Sequence, residues 1–263
     1  MSAKQQSFKR FARCFIVIGL CCTGCIRFPV PHEYADQQLL LALFYNTSVT
    51  GNSVPYALPV SGAKAWLLGS YGVNTSGSIL TWADQSGNGL DAVSVGTLRP
   101  TQTTNALNGH AVIHFSGTQR LNMGYLAMAQ PSSVFIVARR TSAGTINTFF
   151  DGDANRNNFN HLNTGTYSIY AGTALNSAVI SAASYRVLFA AYNGASSILG
   201  VDGFADTNGN AGATPMGTPM IGADSTGAFQ LVGDIAEIII YNKSLTGAER
   251  TSVTNYLKTR YGI

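Results

Sequence analysis

From Tyr56 onward the chain sets short β-branched and aromatic runs between clusters of Gly, Asn, Ser and Thr, and this rhythm restricts its fold more than any other feature. The runs lie at 111–115, 133–139, 166–171, 185–193, 196–203 and 234–242. Branched and aromatic side chains suit a pleated surface, where they pack against cross-strand neighbours. Asn108-Gly109, Asn193-Gly194, Asp202-Gly203 and Asn208-Gly209 punctuate the runs as turn dipeptides, because these residue types tolerate positive φ. Strand–helix alternation of the kind that builds a parallel sheet is missing, and no repeat of domain-building length is evident. The expectation is an all-β, two-sheet antiparallel sandwich.

Only the C-terminus reads as helical. Thr246 stands three residues before Glu249, the spacing of a capping box, and Val253, Tyr256, Leu257 and Arg260 or Tyr261 recur at helical intervals as far as Gly262. The pattern predicts an amphipathic helix of about 14 residues whose Val/Tyr/Leu stripe packs on the sandwich.

A chain of 263 residues can hold such a sandwich as a single unit. A domain of about 200 residues buries roughly 70% of its unfolded surface, so its core needs no disulfide or structural metal. All four cysteines, Cys14, Cys21, Cys22 and Cys25, fall near the N-terminus. No later Cys complements the CxxC at 22–25, which argues against a zinc or redox site. The formal net charge of +4 is equally local, since Lys4, Lys9, Arg10 and Arg13 precede any acid and the twelve remaining basic residues balance twelve acidic ones. A neutral domain offers phosphates no field to follow, so nucleic acid is excluded as a partner. Charged residues are 11% of the chain against about 25% in ordinary domains. Hydroxyls and amides take their place, a surface suited to sugars or proteins.

Residues 1–13 form a cationic stretch, 14–22 a nine-residue apolar run, and Thr23-Gly24 then precede Cys25. That order is the signature of a secretory signal, and the apolar run falls far short of the roughly 20 residues a membrane span needs. Thr-Gly-Cys resembles the end of a bacterial lipobox, which implies acylation of Cys25, although Cys22 stands where that pattern prefers Leu. Ordinary secretion and an uncleaved anchor are the alternatives. Residues 26–60, with Pro29, Pro31, Pro55 and Pro59, read as a tether holding one short ordered element at 39–45, and 61–263 as the domain.

Three stretches point past a generic sandwich. They are Ala65-Trp66-Leu67-Leu68 followed by the segment from Trp82 to Gly89, the segment from Asn108 to Gly117 with Leu121 after it, and the segment from Gly233 to Thr246 running into the helix. In this order they resemble the LamG-like, concanavalin A-like lectin/glucanase jelly rolls of secreted bacterial and some phage proteins, over about residues 65–263. The resemblance implies stacked antiparallel sheets with a concave face, binding glycans, often with calcium, or proteins. Read on their own, Asp84 can accept backbone N–H groups of the turn that Gly87 and Gly89 bend, and Trp66 and Trp82 are core or sheet-edge residues. Strict alternation puts Ile235, Glu237, Ile239 and Tyr241 on one face of their strand, so Glu237 needs a cation, with Arg139, Arg140 and Arg186 the candidates.

Sugar sites pair an aromatic platform with planar amides, carboxylates or Arg, and the segment 149–170 concentrates these types. Its candidates are Asp151, Asp153, Arg156, Asn157, His161 and Tyr170, with Glu237 a further ligand contact. The competing reading is a hairpin with core aromatics and merely solvated polar residues. Asp151, Asp153 and Asn155 offer hard oxygen ligands for calcium, although Leu162 stands where an EF-hand loop would place Glu. Retaining glycoside hydrolysis needs two carboxyl groups about 5–5.5 Å apart. The glucan-hydrolysing members carry Glu-x-Asp-x-x-Glu, which Glu33, Glu237 and Glu249, the only glutamates, cannot assemble. No GxSxG nucleophile elbow is present either.

The sequence therefore predicts a non-catalytic carbohydrate-binding or adhesion module, exported to the cell surface or outer membrane as a lipoprotein or otherwise secreted. Its expected partner is a glycan or surface protein, and it meets a membrane only through the N-terminal lipid. Alternatives are a structural or protein-interaction module, including a phage virion or tail component, and a glycan hydrolase or lyase with an atypical site. The anchor has a direct test: radiolabelled palmitate should enter the wild type and not Cys25→Ala, and label persisting in the variant rules acylation of Cys25 out.

Overall fold

A computed structural model describes residues 57–76, 79–142, 145–153, 157–203 and 206–263. The leader with Cys25, residues 26–56 of the tether, Asn155 and Arg156 lie outside them, while Val60 at the tether's end is buried in the domain core. The first half of the domain supplies β1 (Ala63–Leu68), β2 (Val73–Asn74), β3 (Ile79–Trp82), β4 (Ala92–Val95), β5 (Thr101–Leu107), β6 (His110–Ser116), β7 (Leu121–Met123) and β8 (Ser132–Arg140). Next come β9 (Asn147–Asp151), β10 (Asn158–His161), β11 (Thr166–Tyr170), β12 (Ala174–Val179) and β13 (Arg186–Tyr192). The last are β14 (Ser197–Val201), β15 (Thr207–Gly209), β16 (Met220–Ile221) and β17 (Val232–Tyr241), followed by the helix α1 (Gly247–Tyr261).

These strands form two antiparallel sheets, as the sequence predicts. One has eight strands in the order β15-β14-β13-β8-β17-β6-β5, with β1 also pairing with β17. The other has nine, in the order β12-β11-β10-β9-β16-β7-β4-β3-β2.

The two sheets differ in how many faces they bury, and the strand patterns show why. In β8, Val134, Ile136 and Ala138 join the core between the sheets, while Phe135 and Val137 join a second core that contains Val253, Leu257 and Tyr261 of α1. A strand covered on both faces can be apolar at every position. In β4, Ala92 and Ser94 are buried while Val93 and Val95 are exposed, the alternation of a strand with one wet face. Trp82 fills the core between the sheets and Trp66 the core beneath the helix, so both are core residues.

Asp84 ties the first long turn to β1. Its Oδ1 accepts from the backbone N–H of Trp66 (2.8 Å) and Ser86 (2.9 Å), and its Oδ2 from Leu90 N–H (3.0 Å). Gly87 and Gly89 take φ of +87° and +70° in that turn, which is the structural role expected of them.

Strand β17 departs from the expected alternation. Ile235 pairs with Ala138 and Glu237 with the adjacent Val137, so Ala236 is the extra residue of a β-bulge. Ile235 therefore shares the inter-sheet core with Ile238 and Ile240, whereas Ala236, Ile239 and Tyr241 lie in the helix-side core. A bulge shifts the period of 2 by one residue, and sequence periodicity alone cannot register that.

The capping box forms: Thr246 Oγ1 accepts from Glu249 N–H, and the Glu249 carboxylate accepts from Thr246 N–H at 2.9 Å. Gly262 ends the helix in the left-handed region at φ 63°. Thr246→Ala should cost about 1 kcal/mol of unfolding free energy in urea titration with an unchanged denaturant slope. An unchanged midpoint would show that tertiary packing alone sets the helix start.

Candidate functional site

Because α1 covers the eight-stranded sheet, the open broad surface is the outer face of the nine-stranded one. Strand register arranges polar side chains across it in rows. Asn176, Ser168, Asn160 and Thr148 are successive cross-strand partners on β12, β11, β10 and β9. Ala174, Tyr170 and Asn158 form a neighbouring row. A third runs through Asp151, Met220, Asn122, Val93, Thr81 and Asn74. Their sequence neighbours Phe150, Phe159, Ile169, Ile221 and Leu121 point the other way into the core. The Thr148 hydroxyl and Asn160 Oδ1 are buried and have no partner among the described residues, and Tyr170 is half-buried beside the exposed Ala174. Asp151, Asn158 and Ser168 are likewise buried, so the accessible part of this face presents the amides of the exposed Asn74, Asn122 and Asn176 and, half-buried, Asn160 and the Tyr170 ring, groups that hold sugar hydroxyls and the apolar face of a pyranose.

The predicted site residues divide over this frame. Asp151 closes β9 and is fully buried, with Oδ1 accepting from Asp153 N–H at 3.2 Å and Oδ2 from Ser225 N–H at 2.7 Å. Asp153 Oδ2 accepts from Thr218 N–H at 2.9 Å. Together they brace the β9–β10 turn against the segment after β15, which is the geometry of a tied turn. Asn157, between that turn and β10, is fully buried and its amide has no protein partner. Tyr170 stands on the open face one register position from β10.

His161 and Glu237 lie elsewhere. His161 points into the core, its ring edge-on to Tyr167 at 4.7 Å and its Nε2 3.1 Å from Ile180 O, and burial pulls its pKa down. Among the described residues no group of three or more His, Cys, Asp or Glu side chains could hold a metal ion.

Glu237 is fully buried beneath the helix, not on an open face. Its Oε1 accepts from Trp66 Nε1–H at 2.7 Å and its Oε2 from Tyr261 O–H at 2.8 Å, with Arg260 Nε 3.4 Å away. Burial pushes the Glu237 carboxyl up, while the Arg260 guanidinium and the Trp66 and Tyr261 donors pull it back. The expected cations serve other acids. Arg139 pairs with Asp234 at 2.7 Å in a cluster with His114 and Tyr185, Arg186 pairs with Asp202 at 2.6 Å, and Arg140 donates to Thr145 O at 3.3 Å. The bulge at Ala236 moves Ile235 to the inter-sheet core and leaves Glu237 on the face of Ile239 and Tyr241, which α1 covers and where Arg260 is the cation in reach. Trp66 and Tyr261 carried no sequence signal beyond being apolar, because their polar tips matter only once β1 and α1 meet over β17.

No protein-family model matches the sequence, and no curated protein does. Solved structures do share the fold. A sialidase from Trypanosoma rangeli superposes with a TM-score of 0.57 at 15% identity, covering 86% of this chain and 38% of that one. Domain 4 of an extracellular arabinanase from Geobacillus stearothermophilus, in complex with arabinotriose, gives 0.54 at 14% identity, covering 74% of this chain and 98% of that one. The receptor binding domain of botulinum neurotoxin C/D mosaic serotype gives 0.52 at 12% identity, covering 74% and 51%. The chain thus spans well under half of the sialidase. At such identities the likeness establishes the β-sandwich fold and nothing finer.

A raised carboxyl pKa means that the folded state holds the Glu237 proton more tightly than the unfolded chain. Its contribution is then fully present below the ordinary value of 4.5 and is lost as pH rises through the folded value. Glu237→Gln cannot titrate, so the stability difference, wild type minus variant, should fall steadily from pH 4.5 upward in thermal unfolding. A difference that grows with pH would reverse the assignment.

Proposed function

We propose that this protein is a non-catalytic carbohydrate-binding module of the LamG-like kind, exported to the bacterial cell surface by its leader. The reading rests chiefly on the outer face of the nine-stranded sheet, where the exposed Asn176 and the half-buried Asn160, on either side of a buried Ser168, stand beside the half-buried Tyr170. Planar amides hold vicinal hydroxyls with paired hydrogen bonds, and an aromatic ring packs against the C–H face of a sugar. The arabinanase domain that shares this fold was solved with arabinotriose, which supports the same ligand class here.

Engagement of the acids supports a binder over a hydrolase. Every Asp and Glu among the described residues already accepts a hydrogen bond or ion pair: Asp84, Asp91, Asp151, Asp153 and Asp224 from backbone N–H groups, Asp202, Asp206 and Asp234 from arginines, Glu237 and Glu249 as described. A glycosidase pair instead needs one carboxyl poised as acid and another free to attack or activate water. Val93 and Val95, exposed on the same face, favour protein interaction as the second reading.

A glycan array probed with the full chain, with and without calcium, tests the proposal. Retention of defined glycans is expected, and Tyr170→Ala should weaken it by about tenfold, roughly 1.4 kcal/mol, without moving the thermal midpoint. Silence across neutral and acidic glycans in both conditions would overturn it in favour of protein recognition.

A further inference from the structure

Away from the open face, a cleft of about 360 Å³ lies between α1 and the paired strands β13 and β14. That volume sits at the small end of the range for ligand sites, room for one compact molecule. Phe189 is its apolar base, with the Arg250 guanidinium 5.4 Å above the ring. Glycines keep the walls thin: a Cβ on Gly200 would come within 2.7 Å of Asp206 Oδ1, and one on Gly203 within 3.4 Å of Thr254 Cγ2.

The charged lining residues, Asp202, Asp206, Arg250 and Lys258, balance in number, but Arg186 outside the lining already pairs with Asp202, which leaves Lys258 as the one cation in excess. Arg250 pairs with Asp206 at 2.5 Å, and Arg186 pairs with Asp202 at 2.6 Å. Lys258 donates only to the backbone oxygen of Asp202, at 3.2 Å, and among the described residues no carboxylate lies within ion-pairing distance of it. An ammonium carries three donors, and Lys258 uses one on a backbone oxygen, so it can donate to an incoming anion. Asn255 adds an amide with no protein partner at the same wall, and Asp206 adds a carboxylate that sugar hydroxyls can reach.

We infer that this cleft is a second ligand site, built for one carboxylated monosaccharide unit of the uronate type. The ligand carboxylate meets Lys258, and ring hydroxyls meet Asp206 and Asn255. A dianion such as phosphate would add its second charge against Asp202 and Asp206, which the single excess cation does not offset. A neutral sugar would leave the ammonium as it was. The inference deepens the carbohydrate-binding reading and rests on it for the ligand class, but it uses different residues on a different sheet.

The test is a chemical-shift titration of the ¹⁵N-labelled full chain with D-glucuronate, D-glucose and acetate. Glucuronate should shift the amides of Thr251, Thr254, Asn255 and Lys258 and bind at least about tenfold more tightly than either control. Lys258→Gln should abolish the preference over glucose, and Lys258→Arg should keep it, both at an unchanged thermal midpoint. Equal binding of glucuronate and acetate, no shift at the cleft, or a preference surviving in Lys258→Gln each overturns the inference. If Lys258→Gln unfolds, Asn255→Ala replaces it, and undiminished glucuronate binding there is equally fatal. Shifts confined to Ser168, Tyr170 and Asn176 would sink the cleft and leave the sheet face standing, whereas shifts confined to the cleft with a silent array would do the opposite.

Discussion

The carboxylate of Glu237 sits where β17 bulges, sealed from water, and the placement of the fifteen-residue helix α1 follows from what it requires. A buried carboxyl needs donors on both oxygens and a cation near by. Trp66 from β1 and Tyr261 with Arg260 from α1 supply them, so three distant segments meet at one group. Packing of Val253 and Leu257 would hold an amphipathic helix against many sheets; the polar contacts select this seat and this orientation. The capping box and the left-handed Gly262 then bound a helix whose position is already specified.

That seat divides the molecule's surfaces by role. With α1 on it, the eight-stranded sheet buries its central strands β8, β13 and β17 on both faces, while its edge strands β5 and β15 stay polar and largely accessible. The nine-stranded sheet keeps a wet face, where every second residue is free to be Asn, Ser, Thr or Tyr without cost to the core. The helix also creates a second polar surface of its own, because beside its contacts with β13 a glycine-walled space stays open toward β14. The open face is broad and shallow, whereas the cleft is narrow and charged, so the two suit an extended chain and a single residue respectively.

The acidic residues are spent on architecture. Asp84 ties a turn to β1, Asp151 and Asp153 brace the turn after β9, and Asp234 gathers His114, Arg139 and Tyr185 on the eight-stranded sheet. In a chain with so few charges, each buried or half-buried acid must find donors, and most find them in turns and strand ends. The hydroxyl and amide side chains are left for recognition, a division that suits neutral, hydroxyl-rich ligands better than ionic chemistry.

Local order in the sequence was enough to determine the two antiparallel sheets, the single terminal helix with its capping box, the Asp84 turn and the core positions of both tryptophans. These features depend on residue periodicity and on contacts within a few positions, which a sequence displays directly. Tyr170 and the polar character of 149–170 were legible for the same reason, but their division between an open face, a tied turn and the interior was not. Tertiary structure alone decided that His161 turns inward, that the bulge at Ala236 moves Ile235 to the inter-sheet core while α1 closes over Glu237, and that Arg260 rather than Arg139, Arg140 or Arg186 meets it. A bulge shows itself only in pairing with β8, and the partner of a buried charge is set by elements brought together across 171 and 24 residues of chain, separations over which spacing carries no information.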